Sequence, residues 1–240
     1  MRHNSFKNEE RKRLKQMKVY IVRHGQTLFN YLERVQGWSD SPLTENGLEQ
    51  AKAVANHLAS VSFDAVYSSD LMRAIHTAEY ILEKQTSSTE LQTTELLREA
   101  YFGGFEGGTE DGPWGPVFKT FGYDPEEIKT NFSSAMNKGL ENHSNQEVRN
   151  IIAANDPLGL AENYDQYFNR IDEFLKQFIL NAKEAENILV VSHGGTSKLL
   201  TELLLNDSSD ILEQDNCSTT VVEVGLDKNI LLDFNNTSYL

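Results

Sequence analysis

The chain has 240 residues, 39% hydrophobic and 10% aromatic, which is enough to fill one large core and too apolar for a disordered chain. No apolar run exceeds four residues, as in Ile188–Val191, which excludes a transmembrane helix and a signal-peptide core. The net charge of −14 is uneven: residues 1–18 hold seven Lys/Arg and two Glu (+5), and the rest hold 15 Lys/Arg against 34 Asp/Glu (−19), an acidic body that argues against a nucleic-acid surface.

The single cysteine, Cys217, rules out an internal disulfide framework and any multi-cysteine metal site, and it fits a reducing, cytoplasmic compartment. Residues 1–17 read as a basic, disordered leader. Residues 18–240 read as a single domain with a cap insertion at about 107–160.

In chain order, Lys18–Val22 is an apolar strand ending at Arg23-His24-Gly25. Thr44 has the chemistry of a helix N-cap, and Leu48, Ala51, Ala55 and Leu58 follow at helical spacing, so 45–60 is a helix. Phe63–Tyr67 is a second strand. Residues 71–84 form a helix with Leu71, Ile75, Ala78 and Leu82 on one face. Residues 90–97 form a weaker strand, and the glycine-rich stretch 103–116, with Pro113 and Pro116, is expected to be irregular. Residues 124–138 and 146–155 are cap helices, and 160–186 is one long amphipathic helix. Asn187–Val191 is a strand ending at Ser192-His193-Gly194-Gly195, residues 196–205 form a helix, and Thr219–Val224 with Ile230–Phe234 close the chain as strands. Strands alternating with helices predict an α/β fold, with a mostly parallel central sheet flanked by helices on both faces.

Two segments share one design. VYIVRHGQT and ILVVSHGGT are each an apolar strand, then His, Gly and, two residues on, Thr. In open α/β sheets ligands bind at the carboxyl ends of strands, so His24 and His193 are delivered to one crevice. Arg23 abuts His24, and Arg73 follows a third strand near a helix start, where a guanidinium can grip a phosphate bidentately. An imidazole of pKa about 6.5 is available as a neutral nucleophile, and the arginines with a second histidine can offset the charge of a transferring phosphoryl group without a metal. The leaving alkoxide needs a proton, which a carboxylic acid can supply. Glu99, beside apolar and aromatic neighbours, is the first candidate and Glu106 the reserve. His3, His57, His76 and His143 carry no such pattern and read as surface or packing residues.

These residues resemble the signature of the histidine phosphatase (phosphoglycerate mutase-like) superfamily. The likeness runs through Arg23-His24-Gly25-Gln26-Thr27 with Asn30, Gln36-Gly37-Trp38 with Asp40 and Pro42-Leu43-Thr44, Ser68-Ser69-Asp70-Leu71 with Arg73-Ala74, Leu97-Arg98-Glu99 with Phe102-Gly103, and Val191-Ser192-His193-Gly194-Gly195. The resemblance implies that His24 becomes phosphorylated, that Arg23, Arg73 and His193 form the phosphate pocket, and that Asn30, Gln36, Gly37 and Gly194 contribute to substrate binding. It implies Glu99 as proton donor and then as the base that activates water, with no metal and no organic cofactor.

Mutases of this family usually carry extra cations soon after the acid and later an Arg-Arg pair. Here the next basic residue after Glu99 is Lys119, and no Arg-Arg pair occurs. The expectation is therefore hydrolysis of a small phosphorylated metabolite by the phosphatase branch, with no nucleic-acid or membrane partner and a homodimer left open. A cofactor-dependent phosphoglycerate mutase is the alternative, and a non-catalytic phospho-ligand binder the second. The aromatic residues Phe102, Phe105, Trp114, Phe118, Phe121 and Tyr123 suit either an apolar cover for substrate or a cap core.

Overall fold

The computed structural model describes residues 16–123, 143–182, 184–206, 214–225 and 227–240. Six strands form one sheet: β1 (Met17–Arg23), β2 (Ala65–Ser69), β3 (Leu91–Thr94), β4 (Asn187–Ser192), β5 (Thr219–Val224) and β6 (Ile230–Asn236), in the order β3-β2-β4-β1-β5-β6. The pairs β3–β2, β2–β4 and β4–β1 are parallel, and β1–β5 and β5–β6 are antiparallel. The expected fold class holds. β4 is buried along its whole length after Asn187, as a central parallel strand covered on both faces must be.

The helices are α1 (Leu28–Tyr31), α2 (Glu45–His57), α3 (Met72–Leu82), α4 (Asp111–Thr120), α5 (Asn145–Asn155), α6 (Tyr164–Phe174) and α7 (Gly194–Leu205). Period-2 alternation sorts the strand side chains between two layers. Val22, Val66, Leu189 and Val191 pack with Ala51, Val54, Ala55, Ala74, Ala78 and Ile81 of α2 and α3. Tyr67 points the other way, edge-on to Phe174 at 5.6 Å and to Phe178 at 5.1 Å. Thr44 caps α2 as expected, its hydroxyl accepting from Gly47 N at 3.0 Å.

The chain divides into two compact units: residues 1–27, 42–98 and 171–240, and residues 28–41 and 99–170. The expected insertion at 107–160 lies inside the second unit. That unit's core joins buried Val117, Val148 and Ile152 to Phe102, Phe105, Trp114 and Phe121, and Phe118 is buried beside Tyr123, so the aromatic set is packed as core.

Several expectations need correction. Met17, assigned to the leader, is buried and opens β1 opposite Val224; residues 1–15 and the whole of the expected helix 124–138 lie outside the described residues. The stretch 103–116 is not wholly irregular: after a 3₁₀ turn at Gly103–Phe105, α4 starts at Asp111 and contains both prolines. Pro113 sits in the first turn, where no N–H is needed, which makes it compatible with a helix start. The expected 160–186 helix is cut at both ends. Leu160 N and Ala161 N donate to the Asp156 carboxylate instead, at 2.6 and 2.8 Å, and past Phe174 the helix widens into a π segment, Leu175–Ile179. The 90–97 strand stops at Thr94, whose hydroxyl accepts from Leu96 N and starts a 3₁₀ turn.

Candidate active site

In the first unit, the ladder sets the site. β1 and β4 are parallel neighbours with Arg23 opposite Ser192, so the next residues, His24 and His193, emerge side by side. Their ring centroids are 5.1 Å apart. β2 flanks β4 on its other side and leads into α3, whose second residue is Arg73. Arg73 is 1% exposed, and its Nε lies 3.3 Å from His24 Nε2 and 3.1 Å from His193 Nδ1. Three adjacent strand ends thus converge on one guanidinium.

His24 Nδ1 is 2.8 Å from the Gly25 carbonyl, which can only accept, so Nδ1 carries the proton. Nε2 then holds the lone pair, in agreement with its accepting from Arg73. Burial, and after it the charges of Arg73 and Arg23, hold the His24 pKa well below its ordinary value, against a smaller opposing effect of the Gly25 bond. His24 is therefore a neutral imidazole presenting Nε2 among cations.

The backbone around His24 is held from two sides. Gly25 N donates to Thr77 Oγ1 at 3.1 Å, and that hydroxyl donates to Arg73 O at 2.8 Å, which ties nucleophile loop and arginine together. Asn216 Nδ2 donates to His24 O at 2.9 Å, Cys217 N donates to Arg23 O at 3.0 Å, and Arg23 Nη1 donates to Gln214 O at 2.5 Å. Gly25 is required by close approach: a Cβ there would stand 2.5 Å from Gly47 O. Gln214 and Asn216 carried no recognisable pattern in the sequence and were missed. Gly194 is buried at the start of α7 with His193 as N-cap, and the helix N-terminus adds partial positive charge there.

The second unit holds Asn30, Gln36, Gly37 and Glu99. Asn30 is half-buried on α1, and Gln36 Nε2 donates to Ser41 Oγ at 3.0 Å. Glu99 Oε1 accepts from Ala100 N at 2.8 Å and from the Tyr167 hydroxyl at 3.2 Å. Its carbonyl accepts from Trp38 Nε1 at 2.9 Å and Arg170 Nη2 at 3.0 Å, so the residue is braced from two directions.

Glu106 has a different duty. Its two oxygens accept from Gly37 N, Trp38 N, Ser39 N and Phe102 N at 2.9–3.0 Å and from Ser39 Oγ at 2.5 Å. It replaces a strand partner for that loop, and the Gly37 amide, expected at substrate, is engaged by it. Gly37 also leaves no room for a side chain, since a Cβ would lie 2.2 Å from Ala100 O.

Two arginines in this unit were not singled out from sequence. Arg170 forms a bidentate pair with Glu162 at 2.9 and 2.8 Å. Arg149, on α5, lies 4.4 Å above the Phe102 ring, and the charges of Glu99 and Glu162 act on it. Both follow Glu99 far along the chain, well past the stretch just after the acid where mutase cations are expected.

The first unit is thus an α/β sheet whose strand ends gather a cationic pocket around a neutral imidazole. The chain belongs to the histidine phosphatase superfamily, branch 1, whose profile matches residues 19–115 and 119–237. It is similar to the 2,3-bisphosphoglycerate-dependent phosphoglycerate mutase of Buchnera aphidicola subsp. Cinara cedri (strain Cc), at 28% identity over 94% of this chain and 96% of that one. Among solved structures it resembles a phosphoglycerate mutase from Bacillus anthracis str. Sterne (34% identity, TM-score 0.81, covering 95% of this chain and 97% of that one). It also resembles the α-ribazole phosphatase of Shigella flexneri (25% identity, TM-score 0.69, covering 92% and 96%). Its relatives therefore include both mutases and phosphatases.

Proposed function

We propose that the protein is a metal-independent phosphomonoester hydrolase acting on a small phosphorylated metabolite in the cytoplasm. The observation that carries this reading is the state of His24: Nδ1 bonded to a carbonyl, Nε2 presenting its lone pair beside Arg73. Nε2 attacks phosphorus and the bond to the leaving oxygen breaks. Arg23, Arg73 and His193 take up charge on the non-bridging oxygens. Glu99 gives its proton to the departing alkoxide, then accepts one from the water that attacks the phosphohistidine, which releases inorganic phosphate and restores His24. Asn30, Gln36 and the Gly194 amide are assigned to substrate binding.

The mutase reading, in which the phosphoryl group returns to a second hydroxyl of the substrate rather than to water, is favoured by two observations. One is the pair of arginines in the second unit, Arg149 and Arg170. The other is the set of relatives named phosphoglycerate mutase.

The test is hydrolysis of p-nitrophenyl phosphate in EDTA from pH 5 to 8, with a His24→Ala control. Phosphate release that survives EDTA and vanishes in the variant is the expected result. Absence of release, together with interconversion of 3- and 2-phosphoglycerate that depends on added 2,3-bisphosphoglycerate, would replace the hydrolase by the mutase.

A further inference from the structure

The loop that carries His24 has a weak point, and a side chain from α2 closes it. The lone pair on Nε2 depends on one acceptor, the Gly25 carbonyl 2.8 Å from His24 Nδ1. Which nitrogen of a neutral imidazole carries the proton is set by the hydrogen bond that nitrogen makes. Here the acceptor belongs to a glycine. Glycine is required at 25 because a Cβ would stand 2.5 Å from Gly47 O, yet glycine is also the residue whose backbone rotates most freely. If the peptide between Gly25 and Gln26 flipped, its N–H would face Nδ1 in place of its carbonyl. Nδ1 would then have to accept, the proton would sit on Nε2, and the attacking lone pair would be lost.

The preceding peptide, between His24 and Gly25, is gripped at both ends. Its carbonyl accepts from Asn216 Nδ2 at 2.9 Å, and its N–H donates to Thr77 Oγ1 at 3.1 Å. The Gly25–Gln26 peptide is held, among the described residues, by two bonds. One is to the imidazole itself, and the other runs from Gln26 N to Gln50 Oε1 at 2.9 Å. In a trans peptide the N–H and the carbonyl point in opposite directions, so an acceptor fixed on the N–H decides where the carbonyl points. Gln50 lies three residues after Gly47 on α2, which puts both on one helix face. The helix approaches the loop closely there, since a Cβ on Gly47 would lie 2.0 Å from Gln26 O. All of these residues belong to the first unit.

We propose that Gln50 is a positioning residue that sets the tautomer of His24. By holding the Gln26 N–H it keeps the Gly25 carbonyl on Nδ1, and thereby keeps the lone pair on Nε2 for attack. The effect on rate rests on the reading of His24 as nucleophile, whereas the tautomer is a property of the resting protein. The role asks for an acceptor oxygen at the end of the side chain. Glutamate supplies one, and methionine, of similar length, does not.

The test is NMR of protein labelled with ¹⁵N at histidine, at pH 7.5, with His24→Gln to identify the His24 ring signals. In the native protein Nδ1 is expected to be protonated and Nε2 bare. In Gln50→Met the two tautomers are expected to mix, with the competent form reduced to between about a half and a tenth by the loss of one hydrogen bond. The kcat/KM for p-nitrophenyl phosphate should fall by the same factor, because only the competent fraction of the free enzyme reacts. Gln50→Glu is expected to restore both the single tautomer and the rate. Gln50→Ser, too short to reach Gln26 N, repeats the test with a different side chain should the methionine variant not fold.

A native protein with its proton on Nε2 overturns the proposal without any variant. So does a native tautomer retained in Gln50→Met or Gln50→Ser, and a lowered melting temperature in that case marks Gln50 as structural. Mixed tautomers with an unchanged kcat/KM overturn it as well. If the native protein does not hydrolyse p-nitrophenyl phosphate, the hydrolase reading falls while the ring nitrogens still decide Gln50.

Discussion

The two units solve the same problem, holding charged side chains in fixed places, by different means. The first uses a sheet: strand register alone puts His24 beside His193, and the next strand over delivers Arg73 to both. The second unit has no strand of that sheet among its described residues and uses carboxylates where the first uses a ladder. Glu106 takes four backbone N–H groups, and Asp156 takes those of Gly104, Leu158, Leu160 and Ala161. A carboxylate in a motif-rich stretch is therefore not evidence of proton transfer until its partners are counted. The same contrast holds for the cations: Arg73 is locked between two rings, whereas Arg149 keeps a buried nitrogen that has no hydrogen-bond partner among the described residues.

The most severe way to break the first unit's arrangement is Arg73→Met. A charge-neutralising arginine at a transferring phosphoryl group contributes about 10³–10⁵ in rate. Turnover of p-nitrophenyl phosphate is expected to fall at least about a thousandfold. Because Arg73 is one of the groups that depress the His24 pKa, its removal raises that pKa toward the ordinary value, which an NMR titration of the imidazole reads directly. A rate loss under tenfold would show that the arginine does not meet the phosphoryl group.

The second unit's arrangement is tested by Glu106→Ala. Four backbone N–H groups lose their acceptor, and at about 1–3 kcal/mol for a well-buried orphan, discounted because this site is only half-buried, the loss comes to about 2–4 kcal/mol by urea unfolding. Glu106→Gln, which keeps an acceptor oxygen, is expected to recover part of it. Were Glu106 the proton donor, the outcome would be reversed: stability nearly unchanged, with turnover collapsed equally in both variants.

This difference also explains what could be read from sequence. The first unit was legible because its information is periodic and local. Apolar runs ending in His-Gly give strand, strand end and nucleophile together, and the parallel order follows from helices between them. Even there the ends slipped. β2 runs two residues later than its apolar stretch suggests, because Ser68 and Ser69 pair with Thr93 and Thr94 of β3. The buttress from Gln214 and Asn216 was invisible because the Gln214 carbonyl accepts from the Arg23 guanidinium and Asn216 Nδ2 donates to the His24 carbonyl, each across about 190 positions of sequence. The second unit was less legible. Its helix α4 hides behind two prolines, Pro113 in the first turn and Pro116 inside the helix, and the packing of Arg149 against Phe102 depends on residues 47 positions apart with no shared pattern. Glycines and aromatics in that stretch signalled close packing, but not what was packed.

The smallest effect, and the sharpest on the chemistry of the first unit, concerns pH. The native His24 pKa lies below the unfolded value of about 6.5. As pH falls below about 6.5, the unfolded chain takes up a proton at this residue before the native protein does, so the folded state loses stability over that window. Each pH unit within it is worth at most about 1.4 kcal/mol. Urea unfolding at pH 7.5 and 5.5 should therefore show a drop in the native protein that exceeds the drop in His24→Gln by up to about 1 kcal/mol. The same depression keeps Nε2 unprotonated in mild acid, so the acid limb of kcat/KM should fall below that of an exposed histidine. An acid limb at or above pH 6.5 that shifts with Arg73→Met, or an equal stability drop in His24→Gln, would mean that the imidazole is protonated in the native protein and that the cationic pocket does not tune it.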